Sequence, residues 1–116
     1  MRVKLIPYCN QEIRMVGRYK TNKQFATKKG LRKAALVVDV FSEYGEYLCD
    51  HLLISNMSAM SAVRYPSVIE FSATVRRYLK GMTKKQYDWG VYFVRDVKVL
   101  PNEILDLLKK GMNDNA

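Results

Sequence analysis

The sequence predicts a mainly β domain with five strands, a short linking helix and a C-terminal α-helix. Apolar and polar residues alternate at period two along much of the chain, which is typical of strands with one face on a core. A helical apolar stripe follows Pro101. The chain has 116 residues, of which 48% are apolar, enough for one core and too few for two compact domains. We therefore expect a single domain over residues 1–116.

The five strands are predicted in chain order from this alternation. The first lies within residues 14–26, and the other four cover residues 33–43, 46–54, 67–79 and 88–100. In the first strand, Gly17 permits sharp curvature. The fourth has the clearest alternation, with Phe71 on its inward side. In the fifth, the same parity puts Trp89 and Phe93 in the core, and Gly90 and the neighbouring Arg95-Asp96 pair indicate a bend.

A turn at Tyr44-Gly45 joins the second and third strands into a hairpin. A two-residue loop would place Asp39 opposite Asp50, and a cross-strand pair of like charges is destabilising. We therefore expect a three-residue loop with Gly45 in a left-handed conformation. The resulting pairs are Phe41 with Tyr47 on the outer face and Leu36 with Leu52 on the inner face.

Two segments are predicted to be helical. Residues 56–65 carry small, helix-tolerant residues between two strands and fit a short linking helix or a structured loop. The C-terminal helix covers residues 101–112, is capped by Gly111, and is followed by a frayed tail over residues 113–116. Its apolar stripe consists of Ile104, Leu105, Leu107 and Leu108. We expect this helix to plug one end of a barrel or, alternatively, to dock on another protein.

The order of these elements resembles the oligonucleotide/oligosaccharide-binding (OB) fold, a partly open five-stranded barrel. The resemblance is one of architecture and covers residues 14–100. Residues 50–54 (DHLLI) and 68–81 (VIEFSATVRRYLKG) are also similar to small OB-type proteins of phages and mobile elements. The resemblance implies an OB-like barrel that binds its ligand on the second and third strands and through the loops that join strands one to two and four to five.

The basic residues concentrate at those two loops. The net charge is +9, and the stretch between Ile13 and Val38 has eight Lys and Arg residues and no acidic residue. The stretch between Phe71 and Tyr87 has five, again with none. Clustered cations with interleaved aromatic residues are typical of single-strand binding, because phosphates release counterions to Lys and Arg while unpaired bases stack on rings.

Fourteen residues are the candidates for nucleic-acid binding. They are Lys20, Lys23, Lys28, Lys29, Arg32, Lys33, Phe41, Tyr47, Arg76, Arg77, Lys80, Lys84, Lys85 and Tyr87. Phe41 and Tyr47 are the preferred stacking platform, because the expected hairpin register turns both outward. The competing interpretations are a solvated basic face for the cations and, for Phe41, packing beneath the C-terminal helix.

Recognisable signatures of catalysis are absent from the sequence. It contains no H-E-x-x-H, G-x-S-x-G or G-x-x-x-x-G-K-[ST] pattern. The spacing of Cys9 and Cys49 is neither that of a redox pair nor that of a zinc half-site, and the single histidine, His51, is expected to be structural. Aspartates scattered singly give little support to a metal-dependent nuclease. We predict a non-enzymatic protein with no cofactor and no metal.

Two further features bear on location. No apolar run approaches the roughly 20 residues of a membrane span. The first residues lack the pattern of a secretory signal, so we expect a cytoplasmic protein without membrane contact.

The function predicted from these observations is binding of single-stranded nucleic acid, DNA in preference to RNA, in replication or recombination of a mobile element. The alternative is an accessory or inhibitory subunit that binds a replication polymerase, primase, helicase or host nuclease. Weak affinity for oligonucleotides and stable co-purification with a larger enzyme would favour the alternative. The strand pattern implies no particular oligomeric state.

Overall fold

Five antiparallel strands pair into one sheet in the order β3-β2-β1-β4-β5. The computed structural model describes residues 2–55, 57–80 and 86–114. The strands are β1 (Glu12–Thr27), β2 (Gly30–Ser42), β3 (Tyr47–Ile54), β4 (Ser67–Lys80) and β5 (Gln86–Leu100). All five predicted strands are confirmed, because their alternating pattern fits a sheet with one face on a core.

The two faces of the sheet both carry apolar residues. The inner face holds the main core, which includes Met15, Val37 and Phe71, all fully buried. Neighbouring residues point the other way, so Val16 and Phe41 lie on the outer face. The C-terminal helix α1 (Glu103–Asp114) covers this outer patch.

The position of α1 differs from the predicted plug. Its residues Ile104, Leu105 and Leu108 pack on the outer apolar patch of the sheet, and Leu107 is exposed. The helix also continues through Gly111 to its end, so the predicted glycine cap is wrong. Residues 113–114 of the predicted tail are helical, and residues 115–116 lie outside the described part of the chain.

The linking segment is shorter than predicted. Among the described residues of this segment, only Met57–Met60 forms a helix, and it is of the 3-10 type. Met60 is buried in the main core, with Met57 and Val63 packed against it. The segment therefore closes part of the core between β3 and β4.

The hairpin of β2 and β3 contains both of the registers that the sequence allows. The register of the three-residue loop holds next to the turn, and that of the two-residue loop holds farther along the strands. The observed pairs are Phe41 with Tyr47, Val37 with Leu52 and Leu36 with Leu53. The first is confirmed; the expected pairing of Leu36 with Leu52 is wrong because a register shift follows Val40. Asp39 thus lies across from Asp50 after all. The carboxylate of Asp39, a residue with φ of 54°, binds Lys109 Nζ at 2.7 Å, while Asp50 contacts the ring of His51.

Two bulges bend β5 and change which residues face the core. Phe93 and Asp96 have φ values of 56° and 54°, and the register against β4 shifts at both positions. As a result Val91, Val94 and Val97 face inward at a spacing of three. Phe93, which strict alternation placed in the core, is 62% exposed. The predicted bend beside Asp96 is confirmed.

An N-terminal segment bridges the two edge strands of the sheet. Within the described residues no hydrogen-bonded ladder joins β3 to β5. The guanidinium of Arg2 instead donates to the carbonyl of His51 on β3 at 3.0 Å and to that of Trp89 on β5 at 3.1 Å. The 3-10 helix that follows, Val3–Tyr8, buries Leu5 completely. This segment was not predicted, and it holds together edges that do not pair.

Gly17 lies where the backbone of β1 comes very close to β2. A Cβ atom there would come within 2.6 Å of Val37 Cγ1 and 3.2 Å of the Val38 carbonyl oxygen. We therefore expect Gly17→Ala to lower the free energy of unfolding by about 1–3 kcal/mol, measured by urea denaturation. Gly111→Ala is the control, because nothing lies within 4 Å of its Cβ position and alanine favours a helix. Equal stability of the two variants would contradict the close approach at Gly17.

Candidate nucleic-acid interface

The first half of the candidate interface is a two-stranded arm. Pairing of β4 with β1 ends at Tyr19, and pairing of β3 with β2 ends at Ala35. Residues 20–34, which we call the arm, lie beyond both of those pairings, and residues 23–34 pair only with each other. Thr27 stabilises the turn at the tip, because its hydroxyl donates to the Gly30 carbonyl at 2.9 Å and accepts from the Lys29 N–H at 3.2 Å.

The arm carries only cations among its charged residues. Its six basic side chains are all exposed: Lys20, Lys23, Lys28, Lys29, Arg32 and Lys33. Phe25 pairs across the arm with Arg32 and is 39% exposed. The structure thus gathers six of the predicted residues onto one ribbon. Lysines on an open strand edge also discourage edge-to-edge aggregation, which is their non-functional interpretation.

The second half lies on the hairpin of β4 and β5. The guanidinium carbon of Arg77 is 4.1 Å from the centre of the Tyr87 ring, and that of Arg76 is 5.0 Å from the centre of the Phe93 ring. We call these four residues the arginine patch. Both rings are about half exposed or more. The two arginines and Trp89 also line an open cavity of about 600 Å³ beside the N-terminal segment.

Sequence reasoning found three members of the arginine patch and missed Phe93. Strict alternation assigned that ring to the core, and only the bulge turns it outward. Lys84 and Lys85, also predicted to bind, lie outside the described residues, as does the side chain of Lys80.

The arm and the arginine patch lie at opposite ends of the β1–β4 pair. The arm continues β1 beyond Tyr19, whereas β4 passes beyond the other end of β1 after Thr74. The longest dimension of the protein is 43 Å. The arm and the arginine patch are therefore separate contact regions and do not merge into one patch.

The predicted stacking platform is wrong for Phe41. Its side chain is completely buried between Val16 and Leu105, because α1 covers this part of the outer face. Tyr47 is half-buried and meets the Phe41 ring edge-on, with the ring centres 5.3 Å apart. Phe41 therefore offers no free ring face of the kind that a base requires.

Charge also argues against the β2–β3 face as the binding surface. Residues 34–63 contain no Lys or Arg, although four acidic residues fall within them. These are Asp39, Glu43, Glu46 and Asp50. The face that the OB resemblance implied would therefore repel phosphates.

Cys49 and His51 have reactive side chains outside the arm and the arginine patch. Burial raises the pKa of the Cys49 thiol to about 12, so this thiol stays protonated at neutral pH. The ring Nδ1 of His51 lies 3.0 Å from Asp50 Oδ1. Within residues 2–55, 57–80 and 86–114, no group of three or more potential ligands could hold a metal ion. No helix in that part of the chain has the length and apolar character needed to span a membrane.

No protein-family model, curated protein or solved structure matches this chain. What the arm and the arginine patch can bind therefore follows from their own charge, exposure and geometry.

Proposed function

We propose that this protein binds single-stranded nucleic acid through the arm and the arginine patch, without catalysis and with little sequence preference. The observation that carries the proposal is the arm itself, a ribbon with six exposed cations, no acidic residue and an exposed aromatic ring. Phosphates exchange their counterions for such cations whatever the base sequence. Affinity is therefore expected to fall steeply as salt rises.

The aromatic residues favour a single strand over a duplex. Phe25 lies across from Arg32, Tyr87 lies under Arg77, and the Phe93 ring lies under Arg76. In a duplex the faces of the bases are covered by their neighbours, whereas an unpaired base can stack on a ring or a guanidinium plane. Each end of the protein thus offers a stacking surface next to cations.

The proposed fold context is an OB-like, partly open barrel. Support comes from the strand order, from the N-terminal segment that bridges β3 to β5, and from the cationic hairpins of β1–β2 and β4–β5. The ligand path differs from the one that the OB resemblance implied, because α1 covers part of the β2–β3 face and residues 34–63 carry four carboxylates and no Lys or Arg. A length of 43 Å suits a site of roughly 4–16 nucleotides, the span of one OB domain.

We take DNA in replication or recombination of a mobile element, in the cytoplasm, as the setting, on the strength of the sequence resemblance. The alternative, a subunit that docks its C-terminal helix on a replication enzyme, has less support. Most of the apolar stripe of that helix packs against its own sheet and leaves only Leu107 widely exposed among the stripe residues.

The test of this proposal separates the contribution of base stacking to affinity from that of charge. Phe25→Ala and Tyr87→Ala are each expected to weaken binding of a single-stranded oligonucleotide by about 1–3 kcal/mol, with little change for a duplex of equal length. Tyr44→Ala is the matched control, because Tyr44 is 89% exposed in the acidic turn between β2 and β3. Fluorescence anisotropy titrations measure the affinity of the wild type and of the three variants for both oligonucleotides. Single-strand affinity that survives both substitutions would contradict base stacking.

A further inference from the structure

We propose that Leu31, at the tip of the arm, inserts between neighbouring bases of the bound strand and unstacks them. This inference rests on the proposed function, because it requires a nucleic acid on the arm. It adds a specific structural effect on the ligand that phosphate contacts and ring stacking do not by themselves produce.

Leu31 is unusually uncovered for a residue within a strand. Its side chain is 74% exposed, and its cross-strand neighbour is Ala26, which is also exposed and too small to shield it. Alternation places these two residues on one face of the arm and Phe25 with Arg32 on the other. The arm therefore has an aliphatic face and an aromatic face.

A lone exposed leucine is ordinary on a protein surface. Leu31 differs in its surroundings, because Arg32 follows it in the chain and Lys33 lies on the same face of the arm as Leu31. The stretch from 14 to 38 has no acidic residue. Whatever buries Leu31 must therefore also accept several positive charges at short range, and a nucleic acid combines a polyanionic exterior with apolar gaps between its bases.

The chemistry of leucine indicates how it would act. It has no aromatic face on which a base could stack, but a branched apolar side chain can fill the space between two bases that have moved apart. Separating two stacked bases has a free-energy cost, which phosphate contacts of the neighbouring Arg32 and Lys33 can offset. Phe25 on the opposite face keeps the separate role of a stacking surface.

The experiment uses the full chain and a single-stranded oligonucleotide with 2-aminopurine between adenines, a probe whose fluorescence increases when it unstacks. Anisotropy of an end label measures binding in the same samples. The wild type is expected to bind and to increase the 2-aminopurine fluorescence. Leu31→Ala is expected to abolish that increase and to lower affinity by roughly tenfold or less. Leu31→Met, another side chain that can act as a wedge, is expected to retain the increase.

Leu107→Ala is the control, since Leu107 is a similarly exposed leucine on α1. Binding of the wild type without a fluorescence increase would overturn insertion while leaving the proposed function intact. An equal increase with Leu31→Ala would also overturn it. Absence of any anisotropy change would refute the proposed function, and the insertion with it.

Discussion

Neutralising four cations of the arm is expected to remove most of the affinity for single strands. The variant carries Lys28→Gln, Lys29→Gln, Arg32→Gln and Lys33→Gln. Each lost phosphate contact lowers the slope of log affinity against log salt by about 0.7 for a single strand, so the slope should fall by about 3. At about 0.1 M salt this corresponds to an affinity loss of roughly 10²–10³.

The matched control removes the same number of charges from other surfaces. It carries Lys4→Gln, Arg64→Gln, Lys98→Gln and Lys110→Gln, all at exposed positions outside the arm and the arginine patch. Its net charge equals that of the arm variant, but its salt slope should fall by less than about 1. Similar losses in the two variants would mean that overall charge, and not the arm, attracts the nucleic acid. Anisotropy titrations over a salt series measure both slopes.

Arg2→Ala is expected to give the largest loss of stability among the substitutions considered. The Asp88 side chain is only 5% exposed, and Arg2 Nη1 lies 3.4 Å from Asp88 Oδ2. The same guanidinium binds the Tyr78 hydroxyl and the backbone of both edge strands. Removing it takes the Arg2 cation away from a buried carboxylate, and breaking such a pair costs about 3–5 kcal/mol of unfolding free energy. Urea denaturation measures the loss, with Lys4→Ala, at an exposed neighbouring position, as the control.

The same pair has a pH dependence with a defined sign. Burial alone would raise the pKa of Asp88, but hydrogen bonds from the backbone N–H groups of Arg2 and Trp89, with the charge of Arg2, outweigh it and hold the pKa below its usual value. A lowered pKa contributes stability above about pH 4 that is lost as the pH falls through the folded-state value. Arg2→Ala should therefore shift acid unfolding to higher pH. An unchanged acid midpoint would contradict the account of this pair.

The strands could be predicted because their signal is local. Alternation of apolar and polar residues located all five, but it fails wherever the backbone leaves the extended conformation. In β5 the left-handed residues Phe93 and Asp96 each insert one residue into the ladder, and alternation beyond that point assigns the wrong face. The exposed ring of Phe93 was therefore missed as a candidate contact.

Other features depend on contacts between distant parts of the chain. Alternation correctly put Phe41 on the outer face, but only the docking of α1 buries it. Arg2 and Asp88 are separated by 86 positions, and neither has a local pattern that marks a partner. The cations of the arm were predicted, whereas its form as a free ribbon depends on where β3 and β4 stop pairing. Local periodicity carries no information about where a neighbouring strand stops pairing.

The proposed function requires preferential, salt-sensitive binding of unpaired strands by this protein. Its most direct test is fluorescence anisotropy of labelled single-stranded and duplex oligonucleotides of equal length, titrated with the wild-type protein over a salt series. We predict tighter binding to the single strand and a strong decrease in affinity as salt increases. Equal or tighter binding to the duplex, or weak binding that does not respond to salt, would contradict the proposed single-strand binding.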